Sequence, residues 1–141
     1  MFILIYYSKA AYQMLQGDLD LLLIESRAWN TEHGITGVLA YIEGRPYLEN
    51  EARFMQVLEG TEEEVKKIFK KIQLDPRHCN IIVLKTGSIN ARNFNDWVMK
   101  FEQIDLSANL NLQGFFKLDN DVLKSEEFRE SDFALNFLKS F

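Results

Sequence analysis

Two residues, Tyr6 and Gln56, have the side-chain types and surroundings that best fit a chemical role. Gln56 lies in the apolar run FMQVLEG at residues 54–60, and a buried amide without hydrogen-bond partners costs about 1–3 kcal/mol. The amide carries an acceptor oxygen and an NH2 donor on one rotatable group, so turning it over exchanges donor for acceptor. Tyr6 combines a hydrogen-bond donor with an oxidisable ring. The pair fits recognition of a polar ligand, although each residue alone also fits an ordinary position, a glutamine facing water and a core tyrosine.

Residues typical of enzyme active sites and metal centres form no recognisable pattern in this sequence. The two histidines, His33 and His78, lie far apart and outside metal-ligand spacing. Cys79 follows His78 directly, and neighbours on a strand point to opposite faces, which argues against a Cys–His nucleophile. No glycine loop of the phosphate-binding type is present. We therefore expect neither an enzyme nor a metal site. The remaining candidates for a binding role are Asn30, Trp97 and Met99.

Hydrophobic patterning predicts the order strand, helix, two strands, helix, two strands. This order is typical of an α+β, ferredoxin-like βαββαββ sheet with both helices on one face. The first and third strands of such a sheet are neighbours, so Tyr6 and Gln56 can share the face that the helices cover. The predicted strands are residues 2–7, 35–42, 54–60, 81–84 and 97–99.

Both predicted helices have start signals and an apolar face. The first is expected from an N-cap at Asp18 to Asn30, with Leu21, Leu22 and Ile24 on its apolar face. Asn30 also fits a residue that ends the helix, because asparagine tolerates the left-handed conformation. The second helix is expected to begin at the capping box TEEE at residues 61–64 and to pack on the sheet through Val65, Ile68, Phe69 and Ile72.

The C-terminal part of the sequence has a weaker pattern. Ser131 is a candidate N-cap for a last helix, with Phe133, Phe137 and Phe141 at four-residue spacing. We expect this part to cover the open face of the sheet or a neighbouring molecule. The sequence is therefore divided into a main domain at residues 1–106 and a small helical appendage at residues 107–141.

Composition excludes several classes of function. A chain of 141 residues with 47% hydrophobic side chains can bury a sizeable core. The net charge of −5 argues against a general nucleic-acid binder. One cysteine allows no internal disulfide and suits a reducing cytoplasm. No apolar run approaches the roughly 20 residues of a membrane span, and the apolar start lacks signal-peptide features. We expect a cytoplasmic protein that binds no membrane.

Five motifs follow one another along the sequence. They are LIYYS at residues 4–8, Asn30 followed by GITG at 34–37, FMQVLEG at 54–60, DPRH at 75–78 and RNFNDWVM at 92–99. Each is weak alone, but in this order they resemble the BLUF domain, the family of blue-light receptors that use FAD. The resemblance extends over residues 2–101 and identifies the main domain as a flavin-binding domain.

The resemblance implies a site for FAD between the two helices. Asn30 would hydrogen-bond the polar edge of the flavin ring, and Gln56 would bridge Tyr6 and the flavin. Leu22 and Ile72 would enclose the ring between apolar walls. The ribityl and phosphate side would receive local positive charge from Lys71, Arg77 and His78, beside Asp75 of the same motif.

The resemblance also implies a mechanism and an output. After excitation by blue light, Tyr6 would give an electron and a proton across Gln56, and the amide would rearrange by rotation or tautomerisation. A stronger hydrogen bond to the flavin would then shift absorption to the red. The strand with Trp97 and Met99 would carry the change to a separate downstream signalling protein, and we expect a homo-oligomer.

Two features depart from the usual pattern of the family, and two other functions stay open. Residues 46–53 look like an insertion before the glutamine strand, and Trp29 is larger than the residues often found before the asparagine. The main alternative function is a flavin-free, ferredoxin-like protein-interaction module. The other is an acylphosphatase-like enzyme, which lacks support because no phosphate-cradling loop with an arginine follows the first strand.

Overall fold

The expected order of strands and helices is confirmed. The computed structural model describes residues 1–45, 52–105 and 132–140. Within these ranges no helix is long and apolar enough to cross a membrane. The elements are β1 (Phe2–Ala10), α1 (Gln16–Glu32), β2 (Thr36–Arg45), β3 (Ala52–Gly60), α2 (Glu62–Gln73), β4 (His78–Ser88), β5 (Trp97–Asp105) and α3 (Phe133–Ser140).

The strands form one mixed sheet in the order β4-β1-β3-β2-β5. The first four strands pair antiparallel, as expected for a ferredoxin-like sheet, and β5 adds to β2 in parallel. Tyr6 pairs with Gln56 on β3, Gln56 pairs with Leu39 on β2, and Leu39 pairs with Met99 on β5. One row of residues therefore crosses the sheet from the first strand to the last.

Alternating side chains divide the core into two layers. Leu4 and Tyr6 of β1 pack in the layer that includes apolar residues of α1 and α2. Ile5 of β1 packs in the other layer, which includes Ala134 and Leu138 of α3. The C-terminal helix thus covers the second face of the sheet, which was one of the two expected positions for the appendage. Ser131, Phe141 and residues 107–130 lie outside the described residues.

Helix α1 differs from its prediction at both ends. It begins at Gln16, and Asp18 acts from inside the first turn, where its Oδ2 accepts the backbone N–H of Leu15 at 2.9 Å. The helix continues to Glu32, so Asn30 lies within it and is buried instead of ending it. The apolar face is narrower than expected: Leu19 and Leu22 are buried, whereas Leu21 and Ile24 are 55% and 67% exposed.

Several strands are longer than their apolar runs because polar residues at the ends find partners. Ser8 continues β1, and its hydroxyl lies 2.8 Å from Nδ1 of His78. Glu43, expected in a turn, belongs to β2 and accepts the hydroxyl of Tyr41 at 3.1 Å. Residues 52 and 53 belong to β3, and residues 46–51 lie outside the described ranges. One half of the expected capping box is present, since Thr61 Oγ1 accepts the backbone N–H of Glu64 at 3.3 Å, whereas Oε2 of Glu64 has no hydrogen-bond partner among the described residues.

Arg92 and Glu59 anchor the segment that leads into β5. The guanidinium of Arg92 donates to Oγ1 of Thr36 at 2.7 Å, to the Glu59 carbonyl at 3.0 Å and to the Gly34 carbonyl at 2.9 Å. The buried carboxylate of Glu59 accepts the backbone N–H of Asn93 at 2.7 Å. These bonds hold the segment before Trp97 against the start of β2 and the end of β3.

Gly37 lets β2 approach β3 more closely than any other residue would allow. Its φ is +145°, and a Cβ atom at this position would lie 1.9 Å from the carbonyl oxygen of Val57. We expect Gly37→Ala to lower the free energy of unfolding by about 2 kcal/mol or more, because the clash is with backbone. Gly87→Ala is the matched control, since a Cβ there would meet nothing within 4 Å. Equal urea midpoints for the two variants would contradict this account of Gly37.

Candidate functional site

A short hydrogen bond joins Tyr6 and Gln56 at the centre of the sheet. The phenol of Tyr6 donates to Oε1 of Gln56 over 2.6 Å. Tyr6 is fully buried and Gln56 is 2% exposed. The bond forms because the two residues are paired on adjacent strands and both point toward the helices. The buried amide therefore has a partner for its oxygen, as the cost of burial demands.

Burial keeps the phenol of Tyr6 protonated. Loss of solvation raises the pKa of Tyr6 well above its ordinary value of 10, and the negative charge of Asp75 raises it further. Tyr6 therefore stays a neutral hydrogen-bond donor at any physiological pH. A phenol with so high a pKa does not release its proton unaided, and its hydrogen-bond acceptor is Oε1 of Gln56.

A cleft of about 190 Å³ lies between α1 and α2 above this hydrogen bond. Its floor is the sheet, and its walls combine aliphatic side chains from both helices with polar, charged and aromatic ones. All the residues that the resemblance assigned to cofactor binding line it. The lining consists of Tyr6, Leu39 and Gln56 from the sheet, Leu22, Glu25, Ser26, Trp29 and Asn30 from α1, Ile68, Lys71 and Ile72 from α2, and Asp75, Arg77 and His78 from the following turn and strand.

The cleft contains polar atoms without partners, which is the feature expected of a ligand site. Oδ1 of Asn30 is buried and accepts no hydrogen bond within the described part of the chain, and Asn30 is 1% exposed. Nε1 of Trp29 is also buried without a partner. Such atoms cost stability unless a ligand satisfies them. Aliphatic side chains on both helices, together with the buried acceptor of Asn30, fit a flat aromatic ring with a polar edge, so the residues present suit a flavin.

Asp75 compensates the positive charge of Arg77. Nε of Arg77 donates to the two carboxylate oxygens of Asp75 at 2.9 and 3.0 Å, and Nη2 donates at 2.6 Å. Burial opposes ionisation of Asp75, but the hydrogen bonds and charge of Arg77 outweigh it and hold the pKa of Asp75 below its ordinary value. Glu25 lies 3.6 Å from the same guanidinium. Arg77 thus contributes little net positive charge to the cleft.

His78 is half-buried and neutral at neutral pH. Its ring lies against Phe54, with centroids 4.5 Å apart, and edge-on to Tyr6 at 5.8 Å. Burial lowers the pKa of His78 to about 4, although the charge of Asp75 opposes the shift. At neutral pH His78 therefore adds no positive charge, and the role expected for it at a phosphate stays a prediction.

Trp97 and Met99 do not line the cleft. Trp97 is 5% exposed, Met99 is partly buried, and both pack in the core layer that contains Tyr6. Met99 is separated from Gln56 by Leu39 in the row that crosses the sheet. Sequence reasoning missed Leu39 and Ile68 as lining residues. Ile68 lies one turn before Ile72 on the same apolar face and could have been found, whereas Leu39 becomes visible only once β2 and β3 are paired.

Among the described residues no group of three or more histidine, cysteine, aspartate or glutamate side chains could hold a metal ion. The charged residues near the cleft form a carboxylate–guanidinium cluster instead.

Acidification is expected to destabilise the fold through His78. The unfolded chain binds a proton at this residue below its ordinary pKa of 6.5, whereas the folded protein does so only below about 4. The stability is therefore complete above pH 6.5 and falls by roughly 3 kcal/mol as the pH drops to about 4. Urea unfolding at several pH values measures this loss. His78→Gln should remove it and the matched control His33→Gln should not; an unchanged pH dependence in His78→Gln would contradict the assignment.

Two solved structures match almost the whole chain. The structure described as "BlrB - a BLUF protein, dark state structure" has a TM-score of 0.69 and 26% identity, with 99% of this chain and 96% of that chain covered. The "BlsA photo-activated state" has a TM-score of 0.68 and 34% identity, with 98% and 94% covered. Both confirm the fold of the sheet and its helices.

The curated relatives are light-regulated proteins that are longer than this chain. The photoactivated adenylate cyclase subunit beta of Euglena longa is 42% identical over 76 residues, which are 54% of this chain and 8% of the relative. The blue light- and temperature-regulated antirepressor BluF of Escherichia coli strain K12 is 34% identical over 113 residues, 79% of this chain and 25% of the relative. The matched part thus spans less than a tenth of the cyclase subunit and a quarter of the antirepressor.

The family model BLUF, described as sensors of blue-light using FAD, matches residues 1–100. This range contains the sheet, both helices that enclose the cleft, and the Tyr6–Gln56 hydrogen bond. The sequence resemblance to this family is confirmed: the chain belongs to the BLUF family of blue-light sensors that use FAD.

Proposed function

We propose that this protein is a blue-light receptor that binds FAD non-covalently between α1 and α2 and registers light by rearranging the Gln56 amide. The observation that carries the proposal is the 2.6 Å hydrogen bond from Tyr6 to Gln56 on the floor of the cleft. An ordinary core tyrosine does not require a glutamine partner at the floor of a cleft. A light-driven switch requires an electron and proton donor, here Tyr6, and a side chain that can reversibly change its hydrogen bonds, here Gln56. Membership of the BLUF family identifies the cofactor as FAD.

The roles of the lining residues follow from their chemistry. Asn30 is proposed to satisfy its buried Oδ1 with an N–H of the flavin ring. Leu22 and Ile72 offer apolar surface for a flat ring, which gains from leaving water. Lys71 is exposed at the rim of the cleft, on the side where the polar chain of the cofactor is proposed to lie. Asp75 orients Arg77 there through its hydrogen bonds.

Tyr6 and Gln56 are proposed to carry the light reaction. The bound flavin supplies the absorption of blue light and an excited ring that accepts an electron. Because the pKa of Tyr6 is raised by burial, the phenol would give up its proton together with the electron, and Gln56 Oε1 would accept that proton while its NH2 group releases one toward the cleft. An electron and a proton would then return to Tyr6, and the Gln56 amide, with as many protons as before, would be left rotated or tautomerised. In that form Gln56 would offer a stronger hydrogen bond to the flavin, which would shift absorption to the red.

The proposed output passes through the sheet to other surfaces. Met99 ends the row of paired residues that starts at Tyr6, Trp97 packs in the same core layer, and α3 packs on the reverse face of β3. We propose that the protein catalyses no reaction of its own and acts on a separate signalling protein or through self-association. The division into residues 1–106 and 107–141 and a cytoplasmic location remain predictions. Cyclase activity and antirepression belong to the relatives that carry those names.

Absorption spectra in darkness and after blue light test the proposal directly. The wild type should show flavin bands that move to longer wavelength on illumination and recover in darkness. Tyr6→Phe and Gln56→Leu should retain flavin but lose this shift, because the donor or the bridge is missing. Tyr12→Phe is the matched control, since Tyr12 is 48% exposed and lies outside the cleft lining. A normal photocycle in Gln56→Leu would refute the switch, and a protein that stays colourless with added FAD would favour the flavin-free interaction module.

Asn30→Leu separates a binding role from a structural one. The substitution removes a buried acceptor without a partner, so the apoprotein should become more stable by about 1 kcal/mol. The flavin would lose a hydrogen bond, so affinity for FAD should fall by about tenfold or more. Urea unfolding of the apoprotein and titration with FAD measure the two effects. A less stable apoprotein with unchanged FAD affinity would give Asn30 a purely structural role.

A further inference from the structure

Lys71 and Trp29 make a direct contact between the two helices that enclose the cleft. Nζ of Lys71 on α2 lies 3.4 Å from the ring centroid of Trp29 on α1. The opposite face of the indole stacks on His33, with centroids 3.9 Å apart and an angle of 12° between the planes. His33 Nδ1 in turn lies 2.8 Å from the Trp29 carbonyl oxygen. The indole is therefore held in one orientation between a cation and a second ring.

This contact lies at the outer end of the cleft. Trp29 and Lys71 both line the cleft, and Lys71 is exposed, whereas the floor residues Tyr6 and Gln56 are buried. No other ion pair, hydrogen bond or ring contact recorded among the described residues joins α1 directly to α2. Within that part of the chain the lysine–indole pair is thus the one polar contact that spans the gap between the two helices.

The carboxylates near Lys71 pair with Arg77, so the Lys71 ammonium group can lie over the indole ring of Trp29. Arg77, the neighbouring cation, is engaged by Asp75 at 2.6 Å and by Glu25 at 3.6 Å. Lys71 has no carboxylate within ion-pair distance in the ranges that the structure describes. A lysine over the face of tryptophan is attracted by the ring, and the attraction grows as water is excluded. The half-buried indole, fixed by His33, provides such a face.

We propose that the Lys71–Trp29 pair is a latch that controls how fast flavin enters and leaves the cleft. The inference rests on the proposed function, since it assumes that the cleft holds a flavin. A contact that joins the two helices over the opening must break for uptake and for release alike. Trp29 and Lys71 are accordingly positioning residues that set the exchange rate of the cofactor and take no part in the light reaction.

The latch has a kinetic signature that a direct contact with the flavin lacks. Breaking a latch speeds association and dissociation by the same factor and leaves the dissociation constant nearly unchanged. Removing a direct contact speeds dissociation alone and weakens binding. A lysine that binds the phosphates of FAD would also matter for FAD and not for riboflavin, which has no phosphate. Comparison of the two flavins therefore distinguishes a latch from a phosphate contact.

Stopped-flow measurement of flavin fluorescence, with FAD and with riboflavin, tests the proposal. Lys71→Met and Trp29→Leu should each raise both rate constants by about three- to tenfold for both flavins. The double variant should be no faster than the single ones, because either change breaks the same contact. Lys70→Met, an exposed lysine on the same helix that lies outside the cleft lining, is the matched control and should behave as the wild type.

Three outcomes would overturn the latch while leaving the receptor intact. These are unchanged rates in Lys71→Met, an effect on FAD without one on riboflavin, and single effects that multiply in the double variant. A wild type that binds neither flavin would instead overturn the proposed function, and the latch with it. In that case NMR still reports the contact itself, because the Trp29 ring current would shift the Lys71 methylene protons upfield and Trp29→Leu would abolish the shift.

Discussion

The need to satisfy one buried amide organises the centre of this protein. Gln56 lies in a strand whose side chains are all buried, so its oxygen must find a donor inside the fold. The antiparallel pairing of β1 and β3 places Tyr6 directly opposite, and the phenol meets the need at 2.6 Å. The Gln56 amide thus has one short hydrogen bond at its oxygen and still carries its NH2 donor. Both groups lie on one side chain that can rotate. A stable strand and a switchable polar group are thus obtained from the same residue.

Much of the fold could be predicted because local patterns and the global sheet agree. The apolar runs and the capping box at Thr61 locate strands and the second helix, and their order leads to a ferredoxin-like arrangement. The ends of elements were less predictable. Asp18 stabilises α1 from within the first turn, and Ser8 extends β1 through a histidine that is distant in sequence. Such partners depend on tertiary contacts that the local sequence does not display.

The candidate site also has features that could be predicted from the sequence and features that could not. Tyr6, Asn30 and Gln56 could be found from residue type and spacing, and they line one cleft. The electrostatics of the cleft could not, because charge depends on partners as well as on composition. The turn after α2 brings Asp75 onto Arg77, and burial removes the charge of His78. In the sequence, Lys71, Arg77 and His78 together suggest a basic surface. In the structure only Lys71 keeps a positive charge that no carboxylate offsets within the described residues, and it lies over the indole ring of Trp29.

The alternation of side chains along β3 has a consequence for how such proteins can diverge. Gln56 faces the cleft, while its neighbours Met55 and Val57 face the layer that contains α3. Alternate residues of β3 thus face the cleft, and the residues between them face the core layer that contains the C-terminal helix. Substitutions can accumulate on the α3 side without touching the row of paired residues from Tyr6 to Met99. Substitutions at every second position of β3 therefore give related proteins a route to a different surface around α3 while the cleft stays the same.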